Sequence, residues 1–202
     1  MRLTNFYIFL ICFLGACKNQ VPENKNLSTN KEIEKTLVDK KYLKLNQLKG
    51  QWFYNNKPFN GYGFKLYPND SLSQKTGYYD GKREGDDFMY FNNGVIKRKA
   101  FYVKNKLHGK KLNYLINGQV ISESNYINGE RHGIQKIWFA SGKLAKQRNL
   151  NKGKEEGLQK AWLENGTIYV NYEAKNGRIF GMRRANLCYQ LKNEEIEENK
   201  KI

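Results

Sequence analysis

The chain is short of histidine, cysteine, proline and acidic residues, and it has no long apolar run. Each shortage removes a class of protein. It holds 2 histidines in 202 residues, His108 and His132, with no third to complete a metal set or a Ser-His-Asp arrangement. No Walker loop, G-x-S-x-G, C-x-x-C or H-E-x-x-H occurs. The carboxylates that cluster, Asp86-Asp87 and Glu155-Glu156, are chain neighbours, and neighbours on a strand point to opposite faces, away from any shared acid–base task. No catalytic residue, metal or cofactor is therefore expected, and the chain reads as not an enzyme. With 3 prolines against 18 glycines and 14% aromatic residues, many tight turns should join regular, aromatic-packed elements, which suits a thin β structure better than a helical bundle.

Acid is scarce relative to base: 19 Asp and Glu against 36 Lys and Arg give a formal charge of +17. Such an excess favours anionic partners. The basic residues (Lys82, Arg83, Lys110, Lys111, Lys143, Lys152, Lys154) are spread along the chain without a dense cluster. They read first as solvent-facing strand positions that discourage edge aggregation. Nucleic-acid binding is not expected, since most aromatic residues fall at fixed spacings that core packing requires.

The one apolar run, Phe6 to Leu14, is far short of the roughly 20 residues of a membrane-spanning helix. Arg2 precedes it, and Leu14-Gly15-Ala16-Cys17 follows directly. This segment resembles a bacterial lipobox. The resemblance implies that 1–17 is a lipoprotein signal peptide and that Cys17 becomes the acylated first residue, a membrane anchor of two or three chains. Lys18, rather than Asp, follows the cysteine, which by analogy with sorting rules implies the outer membrane, facing the periplasm. Cys12 is then discarded and Cys17 acylated, leaving Cys188 without an intramolecular disulfide partner.

Residues 18–42 read as a polar tether. Within them Thr29 and Glu32 match a capping box, which predicts a short helix over 30–40 with Ile33 and Leu37 on one face. A repeat array is expected over 43–185. Gly61, Gly85, Gly109, Gly133, Gly157 and Gly181 stand 24 residues apart, and Gly94, Gly118, Gly142 and Gly166 follow the middle four by nine. Each of these second glycines follows Asn93, Asn117, Ser141 or Asn165, and Asn69-Asp70 takes their place in the first unit. Further columns keep the ruler: Leu66, Tyr90, Tyr114, Trp138 and Trp162, and Tyr54, Tyr78, Tyr102 and Tyr126, the last decaying to Leu150 and Ala174. An Asn-Gly between two runs of β-formers predicts a hairpin over a type I′ turn, here 86–91 and 95–102 around Asn93-Gly94. Stacked copies should form an all-β, elongated, single antiparallel sheet with the aromatic columns as its core. His108 and His132 share a column with Glu84 and Glu156, which reads as a solvated turn position.

The segment Tyr126 to Gly133, followed by Trp138-Phe139 and Ser141-Gly142-Lys143-Leu144, resembles the MORN repeat, in the variant of YwqK-type antitoxin-like proteins and bacterial lipoproteins. The resemblance spans about 43–181. It implies a scaffold or partner-binding surface rather than an activity.

The last unit departs from the ruler. Residues 186–202 read as a cap and a charged tail, frayed or briefly helical. A sharper reading gathers Cys188, Met182, Arg178, Arg183 and Arg184 as a partner or redox contact, because neighbouring cations favour thiolate. The resulting expectation is a membrane-anchored, non-catalytic scaffold that binds another envelope protein or polymer. The alternatives are an antitoxin or immunity-type protein, and a Lys-rich face that docks on anionic lipid.

Overall fold

The computed structural model describes residues 32–182, 189–192 and 195–198. The chain divides into two units, Met1–Lys31 and Glu32–Ile202, and everything described lies in the second. It opens with β1 (Leu37–Asp39), a 3₁₀ turn (Lys40–Tyr42) and a small three-stranded meander of β2 (Lys44–Asn46), β3 (Gln51–Tyr54) and β4 (Lys57–Pro58). The repeats follow as β5 (Gly61–Leu66), β6 (Leu72–Tyr79), β7 (Lys82–Tyr90), β8 (Ile96–Val103), β9 (Lys106–Leu107) and β10 (Gly109–Tyr114). They continue as β11 (Val120–Ile127), β12 (Glu130–Arg131), β13 (Gly133–Trp138), β14 (Leu144–Asn151), β15 (Lys154–Trp162), β16 (Ile168–Lys175) and β17 (Arg178–Met182). Consecutive strands pair antiparallel into one open sheet that does not close into a barrel. The all-β hairpin array read from the sequence is the fold.

Three local expectations are corrected. The helix over 30–40 is not formed where the chain is described: 32–36 has no regular structure, and β1 joins β5 in parallel. Burial decides the matter. Leu37, meant for a helix face, is 59% exposed, whereas the β-branched Val38 is 6% exposed in the core. The segment given to the tether thus supplies an edge strand of the sheet. At the other end, the tail expected to fray or coil forms a separate hairpin of β18 (Tyr189–Lys192) and β19 (Glu195–Glu198), with Lys192 and Glu195 as Cα partners.

The third correction concerns the turns. Asn93-Gly94 does not form a type I′ turn. Gly94 has φ 82°, and Asn93 is not among the positive-φ residues. The Phe91 N–H donates to Val95 O at 2.8 Å and the Gly94 N–H to Phe91 O at 2.9 Å. This is a three-residue loop in which one left-handed glycine after a type I turn restores the strand direction, and the register slips at Met89/Tyr90. The type I′ turns lie at the other end of each hairpin, where Asp80 and Gly81 (49° and 68°) and Asn128 and Gly129 (52° and 90°) both take positive φ. These turns stitch unit to unit: the N–H groups of Gly81, Asn105, Gly129 and Gly153 donate to the carbonyls of Phe59, Arg83, Leu107 and Arg131 at 2.8–2.9 Å.

The core has two parts. At its start Val38, Leu43, Phe59 and Tyr78 form a cluster, with Trp52 and Tyr54 packed against it. The Tyr78 ring meets Phe59 at 5.6 Å and Trp52 at 6.2 Å between centroids, in tilted and edge geometries that aromatic quadrupoles favour. From this cluster one column stays buried through every unit, Tyr78 (2% exposed), Tyr102 (8%), Tyr126 (8%), Leu150 (3%) and Ala174 (4%), and Ala100, Ala161 and Tyr172 are buried as well. The column changes its residues and keeps its role. The other aromatic columns are half-buried, and Leu66 is exposed.

Candidate interaction face and buried ionic cluster

Residues directly opposite in an antiparallel sheet share a face, so the register places the sheet's surface chemistry. One row of Cα partners runs Phe64, Lys75, Phe88, Lys99, Leu112, Glu123, Lys136, Gln147, Lys160 and Asn171 across β5 to β16. Around its first half the ammoniums sit on rings: Lys75 Nζ lies 4.5 Å from the Tyr62 centroid, Lys99 Nζ 5.5 Å from Phe88, and Lys97 Nζ 5.5 Å from Phe91. Phe88 also stacks on Tyr90 at 6.2 Å. Such contacts hold a cation in place without neutralising it. The carboxylate in the row, Glu123, is matched by Lys110 at 3.1 Å.

The opposite face, near the start of the sheet, buries an ionic cluster. Lys40 Nζ donates to Thr76 Oγ1 at 2.7 Å, and Thr76 Oγ1 donates to Asp87 Oδ1 at 2.5 Å. Gln74 Nε2 donates to the same oxygen at 3.0 Å, and Arg98 Nη2 pairs with Asp87 Oδ2 at 2.6 Å. Asp87 is 1% exposed. Burial alone raises its pKa, but the hydrogen bonds from Thr76 and Arg98 and the Arg98 charge outweigh it and hold the carboxyl below its ordinary value. Lys40 is shifted down to about 8, first by burial and then by Lys65, Arg83 and Arg98, against the pull of Asp87. Burial also raises the pKa of Tyr78, whose ring lies 5.8 Å from Lys40 Nζ. The bonds of this cluster tie the 3₁₀ turn to β6, across β5, and tie β6 and β8 to β7. Its chemistry is cohesive.

Only part of the C-terminal group named from the sequence can be placed. Arg178 opens β17 opposite Lys175 and is exposed, and Met182 closes the strand opposite Asn171. Cys188, Arg183 and Arg184 lie outside the described residues, as does the lipidation candidate Cys17. The column of Glu84, His108, His132 and Glu156 is not uniformly solvated. Glu84 is 3% exposed and accepts the Lys104 N–H at 2.8 Å, because its carboxylate reaches the next turn in the stack. Among the described residues, no three His, Cys, Asp or Glu side chains gather as a metal set.

Sequence reading missed two glutamines. Gln135 (7% exposed) and Gln159 (2%) occupy the Asp87 column one and two units further on from Lys111. Gln159 Nε2 donates to Asn149 O at 2.7 Å, where the register skips Asn149, and Gln135 bonds Asn125 through both ends of its amide. Their 24-residue spacing was visible; the burial of a polar column was not. A scan against family models finds no match to the chain, and a search of curated proteins finds none either.

Proposed function

We propose that the chain is a lipid-anchored, non-catalytic scaffold of the bacterial cell envelope, which presents an open sheet of MORN-like hairpins to another envelope protein or polymer. The observation that carries the reading is the row of lysines on the face of the sheet opposite the buried cluster, with Lys75 and Lys99 seated on rings and none of the row's four lysines in an ion pair among the described residues. The buried ionisable groups support it as well, since Asp87, Arg98 and Thr76 are committed to cross-strand bonds. The anchor is Cys17, and the placement is the outer membrane, facing the periplasm.

The test joins mass spectrometry to crosslinking in intact cells. The mature chain should begin at an acylated Cys17, and Cys17→Ser should release it from the membrane fraction. A photocrosslinker at Leu112, on the row, should capture a discrete envelope component, and one at Asn165, on a loop tip, should not. A mature chain without acyl groups refutes the anchor. Equal labelling from both positions refutes the face.

A further inference from the structure

Resting on the proposed envelope location, we infer that the row from Lys75 to Lys160 is a binding track for a linear acidic polysaccharide. Four lysines (Lys75, Lys99, Lys136 and Lys160) fall in a single register line that crosses eight strands. At about 4.8 Å per strand they are spaced by roughly 10, 14 and 10 Å, along a line of about 34 Å. The line runs across the strands, so it follows the direction in which units stack. With Glu123 matched by Lys110, nothing acidic on the line is left over. The cations therefore repeat along one axis, as the carboxylates of a uronic-acid chain do.

Two other polyanionic partners fit less well. A membrane is flat, whereas antiparallel strands turn by roughly 20–25° each, or about 150° over this line, so a bilayer would meet only two or three strands at once. A flexible chain follows the twist. The rings beneath Lys75 and Lys99 are also half-buried, and the exposed apolar side chains beside Lys136 and Lys160 on this face, Ile134 and Leu158, stand singly in separate units. An acidic protein would bury a patch with an apolar centre, and lysine is depleted in such patches. Here lysines alternate with rings over the first half of the line, Phe64 to Lys99, and with polar side chains over the second, Glu123 to Asn171. Rings seat the Lys75 and Lys99 ammoniums without neutralising them, and the negative faces of neighbouring rings suit the polarised C–H groups of a pyranose.

The test uses the purified full chain with alginate, uncharged dextran, polyglutamate and vesicles of phosphatidylglycerol with phosphatidylethanolamine. Alginate should bind most tightly, its affinity should fall steeply with salt, and dextran should not bind. The fourfold variant K75Q/K99Q/K136Q/K160Q should bind alginate about tenfold more weakly, while K57Q/K65Q/K146Q/K154Q, of equal charge but off the line, should change by less than about twofold. Amide shifts in the unaltered chain, which need no variant to fold, should concentrate along the line on adding alginate. Equal losses in the two variants, shifts scattered over both faces, or tighter binding to vesicles or polyglutamate would each overturn the inference. An acylated, envelope-located chain that ignores alginate refutes the polysaccharide alone. A chain that binds alginate but carries no acyl group refutes the anchor alone.

Discussion

Asp87 and Arg98 face each other between adjacent strands, with Oδ2 and Nη2 2.6 Å apart, and the carboxylate is almost wholly buried. Three other side chains depend on this pair, because the second carboxylate oxygen collects Thr76 and Gln74, and Thr76 in turn receives Lys40. Removing one member of a buried pair strands the other.

Asp87→Asn should therefore cost about 2–4 kcal/mol in urea unfolding, since Arg98 loses its counter-charge while the amide keeps some hydrogen bonds. The pH sign follows from the depressed carboxyl. Its contribution is complete above the unfolded value near 3.8 and disappears as pH falls through the lower folded value. The gap in stability between the native protein and the variant should thus narrow below about pH 4. A gap that stays constant to pH 2 would show that Asp87 titrates normally.

Lys40 works in the opposite direction. Its folded pKa of about 8 lies below the ordinary 10.5, so folding releases a proton between those values and stability rises with pH across that window. Lys40→Met should remove the rise. At pH 7 the variant should equal or exceed the native protein, by roughly 1–2 kcal/mol after solvent screening, because it no longer buries a charge. Thermal melts at pH 7 and pH 10 measure both. A variant that melts well below the native protein at both pH values would mean that Lys40 is a net stabiliser.

The buried column gives a graded series. Tyr102→Ala and Leu150→Ala remove side chains that are 8% and 3% exposed, and each should cost about 3–5 and 2–5 kcal/mol respectively. Trp138→Ala removes a larger but half-buried ring and should cost less than either relative to its size. Denaturant midpoints rank the three. If Trp138 proves the most costly per unit of area removed, the column is not the core.

Gly109 separates conformation from space. It has φ 69°, yet a Cβ there would meet nothing within 4 Å. Gly109→Ala should therefore cost only the left-handed backbone penalty, roughly 1–2 kcal/mol, and Gly109→Asn less. Equal losses for Ala and Asn in chemical denaturation would point to a steric cause that the structure does not contain.

The two rulers in the sequence have one structural explanation. The glycine column and the tyrosine column are cross-strand partners: Gly61 faces Tyr78, Gly85 faces Tyr102, and Gly109 faces Tyr126. Their spacings were legible because each serves a local demand that recurs, a positive φ on one strand and, as far as Tyr126, a buried ring on the other. The Asn-Gly turn type was less legible. Whether Asn93-Gly94 forms a two- or three-residue loop depends on the register slip beside it, which is a property of the strand pair. Lys40, Thr76 and Asp87 carried no signal at all, since they come from three segments and become a cluster only when β1 docks on β5.

The sequence by itself determined the hairpins, their period and the direction of the chain through them, because these follow from turn conformations and alternation that recur every 24 residues. Only the tertiary structure decided that residues 37–39 pair as an edge strand instead of coiling, that Leu150 and Ala174 continue the core, and that lysines from separate units fall on one line of one face. Those outcomes depend on which strand lies beside which and in what register, a long-range choice that no single segment encodes.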